Sequence, residues 1–111
     1  MMRISLLALL MMAFALPMSA QAADAELGEK VFKKRCVVCH NPLTHKRKIG
    51  PGLQEVFERE SEIGIGKLTE AKLHEWLENP KSLKPNTRMP KYGPMQDVEK
   101  RQAVIDYLKT L

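Results

Sequence analysis

The sequence predicts an all-α domain wrapped around one reactive pentapeptide. Three observations carry that expectation. Apolar residues keep helical spacing near both ends of the chain and once in its middle. No run alternates apolar and polar residues as a half-buried strand would. Between the first helix and a loop rich in Gly and Pro stands Cys36-Val37-Val38-Cys39-His40.

The N-terminal stretch has a separate character. Arg3 precedes an apolar run from Ile4 to Leu16, and Ala20-Gln21-Ala22 follows Pro17. A basic start, a short apolar run and a small-residue site form the pattern of a secretory signal, and the run is short for a bilayer span. Residues 1–22 are therefore expected to be a cleaved secretory signal peptide, leaving 23–111 as one exported domain without stable membrane insertion. An uncleaved anchor is the competing reading. The formal charge is +5 with both signs interspersed, so the chain lacks the one-sided basic footprint of a nucleic-acid binder.

The first helix is expected over Asp24 to Arg35. Asp24 offers an N-cap, Leu27, Val31 and Phe32 form one face, and Lys33, Lys34 and Arg35 suit the negative end of the helix dipole. Gly28 costs about 1 kcal/mol inside a helix relative to Ala. It marks either a close backbone approach or a loosely capped start.

A Cys-x-x-Cys-His run reads as a site of covalent c-type haem attachment. Both thiols add across porphyrin vinyl groups, and the next residue, His40, falls under the iron as proximal ligand. A thioredoxin-like redox pair needs a strand before the motif. A structural zinc site needs a fourth ligand, and His45 and His74 stand alone in the sequence. A disulfide across so short a loop would stabilise little. Haem attachment also accounts for both cysteines of an exported chain. The domain is small and aromatics make up 5% of the chain, so its own core is marginal and a bound porphyrin would act as a staple. The apo chain is expected to be largely unfolded.

Asn41 to Gly52 reads as a surface loop with the basic cluster His45-Lys46-Arg47-Lys48. Leu53, Val56 and Phe57 mark a short helical turn, and Ile63-Gly64-Ile65-Gly66 a flexible connector. The middle helix spans Thr69 to Asn79, capped by Thr69, buried through Leu73, Trp76 and Leu77, and stopped by Pro80. The segment after it, fixed by Pro80, Pro85 and Pro90, presents Met89 as a candidate soft sixth ligand, with Met95 as its rival. Asp97 to Leu111 forms the last helix, capped by Asp97, with Val98, Val104, Ile105, Leu108 and Leu111 on one face and Tyr107 beside them. Two amphipathic terminal helices most simply pack together.

These features together resemble the class I cytochromes c, the small soluble mono-haem family. Gly28, Phe32 and Cys36 match its N-terminal helix, Ile49-Gly50-Pro51-Gly52-Leu53 the stretch after its haem motif, and Val104-Ile105-Asp106-Tyr107-Leu108 its C-terminal helix. The best match runs from Leu73 to Met89, through Trp76-Leu77-Glu78-Asn79-Pro80 and then Pro85-Asn86-Thr87-Arg88-Met89. The resemblance implies a small cytochrome c fold, with terminal helices crossing at Gly28, Val104 as its contact and Phe32 against Tyr107. It implies one covalent haem c on Cys36 and Cys39, with His40 and Met89 as axial iron ligands. Pro51 would accept a hydrogen bond from the proximal imidazole, and Trp76 and Thr87 would line the haem pocket. Asn86 replaces a common glycine, Leu68 stands where some members carry a tryptophan, and Glu55 to Gly66 has no counterpart. Arg47, Lys48 and Trp76 are candidate propionate partners.

The expected function is one-electron transfer in the periplasm rather than enzyme catalysis. Lys33, Lys34, Lys46, Lys81, Lys84 and Lys91 would steer redox partners with acidic docking surfaces. Two alternatives remain at this point. One is a haem c subunit of a periplasmic oxidoreductase complex, for example in sulfur oxidation. The other is a gas- or peroxide-binding haem protein with a displaceable sixth ligand. That reading lacks a distal acid–base pair in the sequence, since His74 is expected to be exposed.

Overall fold

The computed structural model describes residues 18–111, with side chains from Asp24 onward. Residues 1–17, which hold the apolar run of the expected signal, lie outside the described residues. Four α-helices follow in order: α1 (Met18–Arg35), α2 (Glu70–Glu78), α3 (Pro80–Leu83) and α4 (Val98–Lys109). Single 3-10 turns cover Cys36–Val38 and Gly93–Gln96. Among the described residues the one β-type feature is an isolated antiparallel bridge, Glu60 to Lys67. It closes the Gly64–Gly66 connector, whose two glycines take left-handed φ values of 79° and 75°. No helix among the described residues is long and apolar enough to cross a membrane.

The terminal helices pack on each other, and Gly28 is the reason they can. A Cβ at residue 28 would penetrate the Ala103 carbonyl and press on the Tyr107 Cβ. The close approach is therefore to Ala103 and Tyr107 rather than to Val104, one residue away from the expected partner. One turn along α1, Phe32 stacks on Tyr107 as expected, with ring centroids 5.5 Å apart and planes tilted by 58°. Val31, Phe32, Leu73, Leu77, Met95, Val104, Ile105, Tyr107 and Leu108 form one core. It joins α1, α2, α4 and the Gly93–Gln96 turn.

Local signals set most helix ends. The Thr69 side chain accepts from Lys72 N, and Asp97 Oδ1 accepts from Glu99 N and Lys100 N. Elsewhere the structure corrects the expectation. The described part of α1 already includes Met18, so Asp24 is an internal residue and not its cap. Leu27 and Val98, placed by periodicity on buried faces, are 44% and 60% exposed. Pro80 does not merely stop α2: it is the first residue of α3, where its missing N–H costs nothing and its fixed φ suits a helix start. His74 is half-buried and hydrogen-bonded rather than exposed.

Two outcomes are expected. Gly28→Val should lower the unfolding free energy of the holoprotein by about 3 kcal/mol, because overpacking at a helix crossing forces backbone shifts. Guanidinium denaturation with an unchanged m-value checks this. On the far side of α4, Lys109 Nζ donates to Glu70 and ties α4 to α2. That bond, with a second from Gln102, holds the Glu70 carboxyl below the usual glutamate range. The tie is thus present above the unfolded-state value and lost as pH falls through the lower folded-state one. Wild type and Glu70→Gln should differ in stability at neutral pH and low salt, and converge in acid.

Candidate haem site

Every backbone feature around Cys36–His40 serves to present one imidazole. The end of α1 tightens into the 3-10 turn, in which Cys39 N and His40 N both donate to Cys36 O at 3.1 and 2.9 Å. The following loop folds back onto that turn. Gly50 N donates to Cys39 O at 2.8 Å, Leu53 N to Asn41 O at 2.8 Å, and Lys48 Nζ to Val37 O at 2.9 Å. The motif and loop are thus sewn together by bonds from both sides.

The loop delivers the Pro51 carbonyl 2.8 Å from His40 Nδ1. A carbonyl oxygen only accepts, so the ring proton sits on Nδ1 and the Nε2 lone pair is left to bind a metal. A hydrogen bond of this kind fixes the ring plane and raises the basicity of the other nitrogen. Gly50 sets the distance, because a Cβ there would drive into the His40 ring. Gly52 similarly allows the loop to pass under the backbone of Thr44 and His45.

Cys36 and Cys39 are half-buried and not joined to each other. Burial pushes the Cys36 thiol up from its ordinary value, with a smaller contribution from the neighbouring Cys39 and an opposing backbone hydrogen bond. Among the described residues no three Cys, His, Asp or Glu side chains converge as a metal-ion site would require. The donor set therefore fits an anchored porphyrin, with two thiols for covalent attachment and one oriented imidazole, and does not fit zinc.

The other predicted residues lie at the edge of the core or in the loop before the Gly93–Gln96 turn. Cys36, Trp76 and Met89 are partly buried and pack against the core cluster. Thr87 Oγ1 accepts from Met89 N at 3.2 Å, and Thr87 N donates to Lys84 O at 3.0 Å, so the threonine shapes the turn that carries Met89. Met95, the rival, is 2% exposed inside the Gly93–Gln96 turn, and its carbonyl accepts from Arg101 Nη1. Of the candidate propionate partners, Arg47 is an exposed partner of Glu62, and Lys48 is engaged with Val37.

Sequence reasoning missed Arg59. Its half-buried guanidinium donates to the carbonyls of Gly52 and Gln54, holding the chain just beyond Pro51. No periodicity marks it; an arginine within reach of a Gly-Pro-Gly turn is its one trace in the sequence.

Crossed terminal helices over a loop-braced Cys-x-x-Cys-His turn are the arrangement of a mono-haem electron-transfer protein. The comparisons agree: the Cytochrome c family model matches residues 25–111, and the chain belongs to that family, in its class I mono-haem branch. Cytochrome c2 of Rhodopila globiformis is 32% identical over 105 residues, covering 84% of this chain and 98% of that one. The solved structure of cytochrome cH from Methylobacterium extorquens superposes with a TM-score of 0.65 at 32% identity, covering 79% of this chain and 99% of that chain. Cytochrome c oxidase subunit 2 of Bacillus sp. strain PS3 is 36% identical over 93 residues, but the match spans 26% of that longer protein. The cofactor of the family, and of this chain, is covalently bound haem c.

Gly50→Ala should disturb the site more than its single methyl implies. Haem attachment yield and the oxidised optical spectrum check it: the variant is expected to show reduced holoprotein and a displaced imidazole, whereas Gly93→Ala, whose Cβ meets nothing, should resemble wild type.

Proposed function

We propose that the protein is a periplasmic one-electron carrier whose haem is bound through Cys36 and Cys39 and ligated by His40 and Met89. The bound haem supplies one-electron cycling of its iron. The observation that carries the reading is the His40–Pro51 hydrogen bond, which leaves Nε2 as a basic, oriented donor at the motif. Met89 is favoured over Met95 because its turn is shaped by Thr87 on the half-buried side of the core, while Met95 is consumed in internal packing. A soft neutral thioether favours reduced iron and raises the potential. A loop braced by Pro85, Thr87 and Pro90 keeps that ligand in place in both oxidation states, which keeps reorganisation small.

The gas- or peroxide-binding alternative gains no distal base from His74. Both ring nitrogens of His74 are engaged, Nδ1 with Arg101 and Nε2 with Gln102. Residues 1–22 act as the export signal, consistent with a haem attached after translocation. Docking is weak and fast, steered toward acidic partner surfaces by exposed cations such as Lys46, Lys81 and Lys91. Lys33 contributes less, since it pairs with Glu29 at 2.6 Å.

Mass spectrometry of the exported protein should show one added haem that resists acidic organic solvent in wild type and is lost in Cys36→Ala/Cys39→Ala. The sulfur-to-iron charge-transfer band should vanish in Met89→Ala and persist in Met95→Ala. Rapid carbon monoxide binding by reduced wild type would instead establish an open or labile sixth position.

A further inference from the structure

We propose that His74 and Arg101 form a proton-sensitive clamp on the turn that follows the methionine loop, with His74 as a positioning residue. Arg101 is a buried cation, 9% exposed, on the inner face of α4. Its Nη1 donates to the Met95 carbonyl at 2.8 Å, and its Nε donates to His74 Nδ1 at 3.0 Å. A guanidinium does not give up its proton, so Nδ1 is the acceptor and the imidazole proton sits on Nε2. There it donates to Gln102 Oε1 at 2.8 Å. The Gln102 amide nitrogen in turn donates to Asp106 Oδ1 at 3.1 Å and Glu70 Oε1 at 3.3 Å. One bond in this chain, from Arg101 Nε to His74 Nδ1, requires a neutral imidazole, because only a neutral ring nitrogen can accept.

A protonated His74 does not fit. It would point an N–H at the Arg101 N–H, donor to donor and cation to cation, across 3.0 Å. The other charged groups around the pair are of both signs. On α2, Glu78 lies 3.9 Å from Arg101 Nη2, and Glu70 is shared between Gln102 and Lys109. On α4, Asp106 stands 3.9 Å from Lys109. The Gly93–Gln96 turn contributes no titratable group, and α3 contributes only the exposed Lys81. Histidine is the side chain whose charge ordinarily changes between pH 5 and 8. On protonation the guanidinium and imidazole separate, and the buried Met95 carbonyl loses its donor.

What loosens is the far anchor of the methionine loop. The turn is otherwise held by Met95 N to Tyr92 O at 2.9 Å and Asp97 N to Pro94 O at 3.2 Å. It joins the Met89 strap to the start of α4. The clamp thus links proton uptake on the α2–α4 side of the core to the hold on the sixth ligand; this last link rests on the assignment of Met89.

The test uses the holoprotein. Amide hydrogen exchange at Met95 and Asp97, corrected for intrinsic rates, should lose about tenfold in protection between pH 8 and pH 5, the change expected for loss of one hydrogen bond. His74→Asn should hold its protection level across that range, because its Oδ1 still accepts from Arg101 Nε and cannot titrate. Carbon monoxide binding by the reduced protein should accelerate toward low pH in wild type and not in His74→Asn. Equal pH profiles of amide protection in wild type and His74→Asn overturn the clamp. Amides that titrate through His74, with a charge-transfer band unchanged in Met89→Ala, uphold the clamp and refute Met89 as the ligand.

Discussion

The Ala103 carbonyl occupies the space that any side chain at residue 28 would need, so α1 and α4 cross in backbone contact only because that residue is glycine. The consequences run in both directions along the chain. At the C-terminal end of α1 the helix tightens directly into the Cys36–Val38 turn, and before α4 lies the Gly93–Gln96 turn that closes the methionine loop. Locking the two helices therefore fixes the start of the Cys36–His40 segment and the end of the loop that carries Met89. Phe32 and Tyr107 extend the lock by one turn and bury the largest rings of the crossing.

The loop after the motif contributes order rather than bulk. Its residues are largely exposed, and its stability comes from backbone bonds back to Cys39 and Asn41, from the Lys48 ammonium on the Val37 carbonyl, and from the Arg59 guanidinium on Gly52 and Gln54. Such a loop ordered by hydrogen bonds puts the Pro51 carbonyl at a defined distance from the imidazole. An electron carrier benefits from that rigidity, since a ligand held in one orientation adds little to the energy of changing oxidation state. One residue, Glu55, takes a positive φ of 55° and is held there by its N–H on the Leu111 carbonyl and its carboxylate on His45. A non-glycine residue in that region costs on the order of 1–2 kcal/mol, which those tertiary bonds offset.

Between α2, α4 and the Gly93–Gln96 turn runs the polar chain from Met95 through Arg101, His74 and Gln102 to Glu70 and Asp106. Burying a guanidinium is tolerable only where its N–H groups find acceptors. Here one acceptor is a backbone carbonyl of the core and another is a neutral imidazole. The helix pair α2–α4 is thereby joined by directional bonds where apolar contact alone would leave it free to slide.

By itself the sequence determined what is local or covalent. The caps at Thr69 and Asp97, the pairing of two thiols with an adjacent histidine, and the helical spacing of the terminal segments were legible because each depends on residues within a turn or two of one another. The need for glycine at residue 28 was legible as well, though its partner was not. A crossing angle selects Ala103 over Val104, and no periodicity encodes a crossing angle. The same limit explains Leu27 and Val98, whose spacing places them beside an apolar stripe while the packed helix covers only its centre. Pro80 carried two meanings, end of one helix and start of the next, and only the chain's path resolved them. His74, Arg101 and Arg59 were invisible as a set, because isolated polar residues have no period. Their partners are chosen by which carbonyls and ring nitrogens folding leaves without a donor, and that is settled only when all the helices are in place.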